Sequence, residues 1–281
     1  MTGKPLLRAI RGLLFVLLVG VGLFLLFPFF WMVITSLKES GDVFSPTPKW
    51  IPWLHFQPTL RAFRIAWSEV SFARYTMNSF IVASAVTVGQ VFTSSLAAFA
   101  FARLRFPGRD RIFLGYLGTM MVPATVTMIP VYILLRELHW IDTYQALIVP
   151  GMFSAYGTFL LRQFFVSIPR ELEEAARVDG CSFFGIYRRI ILPLSLPALS
   201  TLSIFTFIGT WRSFMWPLIV TNSEERFTLP VGLAAFRTLH YTVDWPVLMA
   251  GSTLMTLPMI VVFLIGQRYF IEGIRLGGVK G

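Results

Sequence analysis

Long apolar stretches separated by short polar loops dominate the pattern of this chain. Six stretches are each close to the ~20 residues that an α-helix needs to cross the hydrocarbon of a bilayer. They cover residues 12–36, 76–102, 112–135, 143–165, 190–220 and 245–267. The polar segments between them are too short to hold a soluble domain. The pattern therefore predicts an all-α integral membrane protein, in which residues 1–281 form a single transmembrane domain of six helices.

Prolines interrupt the third, fourth, fifth and sixth predicted spans. They are Pro123 and Pro130 in the third, Pro150 in the fourth, Pro197 in the fifth and Pro258 in the sixth. Each proline removes a backbone donor and can kink its helix. Kinked or discontinuous helices often border a transport path, although ordinary kinks between packed helices fit any single proline equally well.

A weaker helical pattern lies in the long loop after the first span. Beyond Pro58, apolar residues recur at steps of three and four, while Arg61 and Arg64 lie off that stripe. The apolar positions are Leu60, Phe63, Trp67 and Val70. This spacing predicts an amphipathic helix that lies in the membrane interface rather than across the bilayer.

The lysines and arginines indicate which side of the membrane each loop faces. Fifteen lie in the segments on the side of the two termini, eight lie in the three opposite loops, and Arg212 falls within the fifth span. Cytoplasmic loops are enriched in these residues, so both termini are predicted to be cytoplasmic. The formal charge is +10 in a chain that is 56% hydrophobic. It favours contact with anionic lipid over a nucleic-acid partner.

Residue types that support catalysis or metal binding are sparse. The single cysteine, Cys181, cannot form an internal disulfide, and a small residue in a turn is its simplest interpretation. The three histidines lie far apart, without the spacing of a metal site. The sequence also has no G-x-x-x-x-G-K-[ST] phosphate loop, so any ATP is predicted to be bound by another chain. We therefore predict no catalytic residue, no metal and no cofactor on this chain.

The charged stretch between the fourth and fifth spans, residues 168–193, is the most informative segment. Pro169 suits the first turn of a helix, and the acids that follow it interact favourably with the helix dipole. These acids are Glu171, Glu173 and Glu174. Gly180 is predicted to end the helix, because only glycine enters the left-handed conformation without a steric penalty.

A second helix is predicted directly after that turn. Ser182 can cap it, and it covers residues 183–192 before Pro193 leads into the fifth span. A helix, a sharp turn and a second helix, tied to two spans, would act as a rigid lever. Taken alone, the composition fits a connecting surface helix better. A DNA-reading helix-turn-helix is not favoured, since its recognition helix would have to be free.

The spacing within this segment changes that balance. Glu174 to Pro193 reads E-A-A, three residues, G, nine residues, I-x-L-P, which resembles the cytoplasmic coupling motif of the membrane subunits of bacterial ABC importers. Further matches cover most of the chain from Asn78 onward, and the first span matches only in hydrophobicity. They are N-S-F-I-V from Asn78, A-R-L-R-F-P-G-R from Ala102, R-Q-F-F from Arg162, W-P-L-I-V from Trp216, Q-R-Y-F from Gln267 and V-K-G from Val279.

The chain thus resembles the smaller, maltose-permease type of subunit in the carbohydrate-uptake group of ABC importers. The resemblance implies the type I importer permease fold, with six transmembrane helices and a cytoplasmic coupling helix in the bacterial inner membrane. It also implies a second permease subunit, two copies of a cytosolic ATPase that uses ATP and Mg, and an extracytoplasmic solute-binding protein. This chain would itself be a non-catalytic transport subunit for a sugar or related solute.

The resemblance also assigns roles to individual residues. The contact with the ATPase would comprise Glu174, Ala175, Ala176, Asp179 and Gly180. The tail that reaches toward the ATPase pair would comprise Gly277, Gly278, Val279, Lys280 and Gly281. The loop 221–245 is a candidate contact for the binding protein.

The candidate substrate path takes in Trp211, Arg212 and Tyr156. The family usually has asparagine after this tryptophan, whereas this chain has Arg212. A charge deep in hydrocarbon would suggest a ligand contact. Counting ~19 residues at ~1.5 Å each from Pro193 instead places Arg212 near the outer interface, where its head can snorkel into water. We therefore favour snorkelling over substrate contact.

Two other classes of membrane protein remain as alternatives. A self-sufficient six-span channel or secondary transporter commonly carries ionisable residues inside several spans, whereas this chain offers only Arg212. A membrane enzyme would cluster histidine or acids at one face, but the acids on the predicted inner side fall almost wholly in the one loop. Disaccharides, oligosaccharides, polyols and glycerol phosphates all remain open as the solute.

Overall fold

The computed structural model of the chain describes residues 3–69, 71–239 and 244–278. Within these residues it is helical, without a β-strand, so the predicted all-α class is confirmed. In chain order the helices are α1 Gly3–Ser36, α2 Ser40–Val43, α3 Arg61–Glu69, α4 Phe72–Arg103, α5 Arg109–Gly118, α6 Ala124–Glu137, α7 Tyr144–Ile148, α8 Ala155–Ser167, α9 Glu171–Val178, α10 Phe183–Ile186, α11 Leu192–Leu194, α12 Leu196–Trp211, α13 Met215–Val220, α14 Leu229–Leu239 and α15 Trp245–Gly278.

The contacts between residues divide the chain into two compact units. The first comprises residues 1–72 and 233–256, and the second comprises residues 73–232 and 257–281. The prediction of a single transmembrane domain stays a prediction.

Among the described residues, three helices are long and apolar enough to cross a membrane. They are the Ile10–Ser36 part of α1, all of α4 and the Trp245–Gln267 part of α15. Two further candidates are bent pairs, which turn by 97° between the Arg109–Met121 segment and α6, and by 76° between the Phe183–Leu194 segment and α12. The described residues therefore offer up to five spans by length and composition.

The predicted fourth span, residues 143–165, is not one helix. It is divided between α7, a 3-10 turn at Val149–Met152 and α8. Pro150 lies in that turn, where its missing N–H interrupts no helical ladder. The count of six spans stays a prediction.

The other prolines act according to their position in a helix. Pro123 directly precedes α6, and Pro197 lies in the first turn of α12, so each marks one of the two sharp bends. At the first helical positions a missing N–H removes no hydrogen bond. Pro130 and Pro258 lie inside continuous helices.

In the first unit, α1 leaves almost its whole surface uncovered. Leu13, Phe15 and Phe24 are 67–77% exposed. A surface of this kind is stable in lipid and is rare in water. The predicted amphipathic helix is present as α3, with Leu60 and Trp67 of its apolar stripe exposed on the surface of the chain. Val70 lies outside the described residues.

In the second unit, α4 runs through two hydrophobic clusters. Its 32 residues would span about 48 Å at ~1.5 Å each. Near Arg103, which we call the Arg103 end, the α4 residues Ala98, Phe99 and Ala102 pack with α8 and with the segment after α9. At the opposite end, which we call the Asn78 end, α4 packs with α6, α7 and α13. One helix thus connects two separate packing regions.

Candidate functional site

The predicted coupling residues lie on and directly after α9, and the turn behind this helix has a defined geometry. Gly180 has a φ of +77°, in the left-handed region. Its N–H donates to the carbonyl of Arg177 at 3.0 Å, and the N–H of Cys181 donates to the carbonyl of Ala176 at 2.8 Å. These two bonds form a Schellman motif, which satisfies the last carbonyls of the helix. The predicted helix stop at Gly180 is confirmed.

The predicted second helix is also present. The Ser182 hydroxyl accepts a hydrogen bond from the N–H of Gly185 at 3.2 Å and so caps α10. Beyond α10 the chain continues as a π-helical turn, Tyr187–Ile191. Within that turn the Tyr187 hydroxyl lies 2.7 Å from the hydroxyl of Ser95 on α4, and both side chains are buried. The second helix is therefore attached to α4 as well as to the following span.

A buried ion pair attaches α9 itself to the Arg103 end. Nε of Arg103 lies 2.7 Å from Oε1 of Glu173, and their side chains are only 3% and 6% exposed. The two atoms are close, but their geometry is not that of a hydrogen bond, so the attraction between the two side chains is mainly coulombic. The Arg103 guanidinium also donates to the carbonyls of Phe165 at 2.5 Å and Ile168 at 2.7 Å, just where α8 ends. One arginine thus joins α4, α8 and α9.

The acids of α9 fall into two groups. The helix begins at Glu171, two residues after Pro169, and three acids occupy its first turn as predicted. Glu171 and Glu174 are exposed, whereas Glu173 is 5% exposed and paired with Arg103. The first turn therefore faces both the protein interior and the surroundings.

Most of the predicted ATPase-contacting residues lie on the outside of the chain. Glu174, Ala175, Asp179 and Gly180 are exposed, whereas Ala176 is half-buried against the cluster at the Arg103 end. Three apolar side chains next to them are also exposed, at 88% for Val178, 55% for Phe183 and 65% for Phe184. Together these exposed residues form a surface with two acids and an apolar rim, which we call the α9 face.

Positive charge surrounds the α9 face. A pocket of about 530 Å³ beside α9 is lined by residues that include Arg103, Arg105, Arg170, Arg177, Glu173 and Glu174. The guanidinium of Arg177 lies 4.8 Å from the ring centroid of Phe183, which favours one orientation of that ring by a cation–π contact. The surroundings of Glu174 are therefore basic, although Glu174 itself makes no ion pair with a described residue.

At the Asn78 end, neutral hydrogen bonds hold the loop that follows α13. The side-chain amide of Asn78 donates to the carbonyls of Glu225 at 2.8 Å and Phe227 at 2.9 Å, and it accepts from the Tyr144 hydroxyl at 2.7 Å. The neighbouring Ser79 hydroxyl accepts from the N–H of Leu229 at 2.7 Å. Asn78 and Ser79, the first two residues of the N-S-F-I-V match, therefore hold the second half of this loop, from Glu225 to Leu229.

Asp142 fixes the first half of the same loop. Its carboxylate accepts from the N–H groups of Asn222 at 2.9 Å and Ser223 at 3.1 Å. Burial alone would raise the pKa of Asp142, but these hydrogen bonds and the nearby Arg226 outweigh it and lower the pKa below its ordinary value. Arg226 in turn lies 4.7 Å over the Tyr144 ring.

A cavity of about 390 Å³ lies at the Asn78 end. Its walls come from α4, α6, α12 and α13, from the 3-10 turn that contains Pro150, and from Thr228 before α14. This volume falls within the range of about 300–1,000 Å³ that is usual for small-molecule sites.

None of the residues of the predicted substrate path lines this cavity. Trp211 is 1% exposed and stacks on Phe207 at 5.8 Å, whereas Tyr156 is 47% exposed. Arg212 caps the carboxyl end of α12 with an exposed side chain that pairs with no described acid. The neighbouring residues Thr210 and Ser213 line the cavity instead. The roles assigned to Trp211, Arg212 and Tyr156 stay predictions.

Part of the predicted tail lies beyond what the structure describes. Gly277 and Gly278 end α15, whereas Val279, Lys280 and Gly281 lie outside the described residues. The loop 221–245 is described except for residues 240–243. Among the described residues, no group of three or more His, Cys, Asp or Glu side chains could hold a metal ion.

The comparison with protein families decides the class of this protein. Residues 90–276 match the family described as "Binding-protein-dependent transport system inner membrane component". The chain belongs to this family. It is therefore the membrane-spanning permease subunit of an importer of the ATP-binding-cassette class, and the matched region includes both the α9 face and most of the cavity wall.

Curated relatives and a solved structure agree with this assignment. The arabinooligosaccharides transport system permease protein AraQ of Bacillus subtilis is 37% identical, over 93% of this permease and 92% of the relative. The sn-glycerol-3-phosphate transport system permease protein UgpE of Agrobacterium fabrum is 36% identical, over 96% and 97%. A bacterial ABC transporter that imports the acidic polysaccharide alginate has a chain with a TM-score of 0.81 at 24% identity, covering 93% of this permease and 97% of that chain. This last likeness shows that the two share a fold.

Sequence reasoning missed two residues at the centre of the site. Arg103 counted only as one of many basic residues near the predicted inner boundary, and Glu173 only as one of three acids that favour the helix dipole. They are 70 positions apart, so no local spacing could have paired them. Their neighbours gave no signal either, since the inward packing of Ala176, one turn after Glu173, is known only from the structure.

Proposed function

We propose that this permease is the smaller subunit of a carbohydrate importer and that it transmits work from a cytosolic ATPase through α9. In this proposal two ATPase subunits bind ATP and Mg, and this chain hydrolyses none. A second permease forms the other half of the translocation path, and an extracytoplasmic binding protein delivers the sugar. The permease lies in the bacterial cytoplasmic membrane with both termini in the cytosol.

The observation that carries the proposal is the attachment of α9 to three other parts of the fold. Arg103 joins α9 to the ends of α4 and α8, and Tyr187 joins the following segment to α4. Because these contacts are buried, a push on α9 moves the ends of those helices with it instead of bending a free loop. A merely connecting helix would not need an ion pair withdrawn from water, which is costly unless it is well partnered.

The α9 face supports a protein partner on its outer side. It combines exposed apolar side chains with the carboxylates of Glu174 and Asp179. Exposed apolar side chains next to charged groups are typical of protein contacts, and the Schellman turn holds the α9 face in one conformation. We assign Glu174, Ala175, Ala176, Asp179 and Gly180 to the contact with the ATPase.

The carbohydrate class rests on the solutes for which the relatives are named. AraQ is named for arabino-oligosaccharides, and another relative, the permease MalG of Thermococcus litoralis, for trehalose and maltose.

The excess of lysine and arginine on the side of the termini supports their cytosolic location. That location would place α9 on the same side as a cytosolic ATPase.

The assembled importer in liposomes provides the test. Glu174→Lys and Gly180→Val are expected to lower ATP-driven solute uptake, and ATP hydrolysis stimulated by the binding protein, to a small fraction of wild type. The first reverses a contact charge. The second forces a β-branched residue into the left-handed region, which costs of order 1–3 kcal/mol, although no atom stands within 4 Å of the added Cβ.

Matched controls separate coupling from folding. Gly180→Asn should retain most of the uptake, because asparagine tolerates the left-handed conformation. Glu137→Lys makes the same charge reversal at an exposed position at the end of α6 and should have little effect. Full coupling in the Glu174→Lys and Gly180→Val importers would reject the assignment. Solute transport by the purified permease alone would favour a channel or secondary transporter.

A further inference from the structure

The cavity at the Asn78 end contains more hydrogen-bonding capacity than the permease itself uses. Thr228 lies on its wall, is only 4% exposed, and has a buried hydroxyl without a hydrogen-bond partner. Thr210 and Ser213 also line the cavity, and neither hydroxyl bonds to a described residue. A buried polar group without a partner is unfavourable, so the hydroxyl of Thr228, beside two further hydroxyls that line the same space, indicates that something polar enters it.

One aromatic side chain on the cavity wall is held in place. The indole N–H of Trp216 donates to the carbonyl of Ala146 at 3.0 Å, and Trp216 packs against the cluster at the Asn78 end. With its only donor already used, the surface that Trp216 offers to the cavity is the apolar ring. An apolar ring beside free hydroxyls suits a ligand that has both C–H faces and hydroxyl groups.

The wall carries no charge at all. None of the sixteen lining residues is acidic, basic or histidine. A phosphate or carboxylate that entered this cavity would lose water and gain no counter-charge, which is strongly unfavourable. The chemistry of the wall therefore favours a neutral ligand, although among the relatives UgpE is named for sn-glycerol 3-phosphate and the solved transporter imports acidic alginate.

Glycine positions leave the space open. Gly209 of α12 lines the cavity, and a Cβ built there would meet no atom within 4 Å. A larger side chain at this position would extend into the cavity without a collision inside this chain. The empty volume is thus a property of the sequence at Gly209 as well as of the fold around it.

We propose that this cavity is a carbohydrate subsite within this permease, which binds the ring of an uncharged sugar against Trp216 and pairs its hydroxyl groups with Thr210, Ser213 and Thr228. The proposal rests on the importer function proposed above, and it adds that this chain itself contacts the solute and that the solute is neutral. The second permease then completes the path, and this subsite already disfavours anions.

Ligand binding is measured by saturation-transfer NMR on the assembled importer in nanodiscs, without nucleotide and without binding protein. The neutral probes are maltose and arabinotriose, and the anionic probe is glycerol 3-phosphate. We expect signals from the neutral probes only. Gly209→Leu should reduce them about tenfold or more, since one methylene in a pocket already changes binding about 10–200-fold and leucine occupies more of the space than that. Trp216→Leu should do the same, and Trp216→Phe should restore most of the signal.

Further variants keep the result decisive if the Gly209→Leu permease does not fold. Thr228→Val conserves shape and removes the hydroxyl, so it should weaken the neutral signals several-fold. Gly115→Leu is the matched control, because Gly115 also has no atom within 4 Å of an added Cβ and does not line the cavity. It should leave binding unchanged.

Four outcomes would overturn the subsite. The first two are absence of a neutral-probe signal in wild type and an equal signal in Gly209→Leu. The third is a glycerol 3-phosphate signal that depends on Gly209. The fourth is loss of the second permease from the Gly209→Leu importer, which would make the cavity a subunit interface. A failure of the proposed importer function would be recognised by a separate measurement: the wild-type importer would show no ATP hydrolysis stimulated by the binding protein.

Discussion

The two ends of α4 are held by opposite kinds of interaction. At the Arg103 end a full charge pair is buried, with the guanidinium also bonded to two carbonyls. At the Asn78 end a neutral amide makes three hydrogen bonds to backbone and to Tyr144. A buried ion pair is intolerant of losing one partner, whereas a neutral network loses one bond at a time. This difference supports the proposal that the Arg103 end, rather than the Asn78 end, transmits force.

The same contrast appears in what each end exposes. The Arg103 end carries a charged and apolar face that no described residue covers, as a contact with another protein requires. The Asn78 end has an open cavity with an uncharged wall. The proposed lever and the proposed sugar subsite need these different surfaces, and α4 connects them directly.

The largest effect is expected from breaking the ion pair. Arg103→Met leaves Glu173 buried without its partner, and removal of one member of a buried pair costs about 3–5 kcal/mol. We expect a large fall in the thermal unfolding midpoint of the importer and loss of uptake coupled to ATP hydrolysis. Both are measured on the detergent-purified and the reconstituted importer.

The double variant Arg103→Met with Glu173→Leu sharpens this test. Without either charge the buried site is apolar again, so stability should recover substantially, while coupling stays impaired because the attachment of α9 is gone. Recovery of both properties would show that the pair serves stability alone. A thermal unfolding midpoint in Arg103→Met equal to that of wild type would contradict the burial of the ion pair.

A smaller effect is expected at the other end of α4. Asn78→Leu keeps the size of the side chain and leaves two carbonyls and the Tyr144 hydroxyl without partners, at a cost of about 1–3 kcal/mol. Hydrogen exchange should then increase in the loop after α13 and not in α9. Asn222→Ala is the control, because only the backbone of Asn222 bonds to Asp142. Increased exchange in α9 would contradict the separation of the two ends.

Ser182→Ala tests the joint between α9 and α10. Loss of the N-cap hydrogen bond to Gly185 should cost about 0.5–2 kcal/mol, with a modest decrease in coupled uptake. Ser182→Asp should retain the wild-type behaviour, since aspartate caps equally well. A Ser182→Ala importer that lost all coupling would assign Ser182 a role beyond capping.

The smallest effect is a pH dependence at the Asn78 end. The folded-state pKa of Asp142 is lowered, so its stabilisation is fully present above the unfolded pKa of ~3.9 and is lost as pH falls through the folded value. The difference in unfolding midpoint between wild type and Asp142→Asn should therefore narrow below about pH 4. A difference that widened in acid would reverse the sign of this linkage.

Local chemistry predicted the turn geometry of the site well. Gly180 and Ser182 could be assigned because a left-handed residue and an N-cap are properties of single positions. Most of the apolar helices followed from length and hydrophobicity. Pro150 marked a break in the fourth predicted span, but a proline alone does not say whether a helix kinks or is replaced by a 3-10 turn, since neighbouring packing decides this.

Long-range contacts could not be predicted from one sequence. Arg103 with Glu173, and Asn78 with the loop after α13, join positions 70 or more residues apart, and their residue types are equally common on exposed surfaces. The cavity was also invisible, because Thr210, Ser213 and Thr228 are distinguished only by having no partner. Trp211 and Arg212 lie in the stretch of chain that borders the cavity, but their neighbours Thr210 and Ser213 line it.

The most direct test of the account is whether α9 and α4 move as one body. Spin labels at Glu171→Cys and Val88→Cys, both exposed, with Cys181→Ser to remove the native thiol, report one distance by double electron–electron resonance. In the reconstituted importer this distance should be the same with and without ATP, and Arg103→Met should broaden it. A distance that changes with ATP in a wild-type importer that still transports would contradict the account.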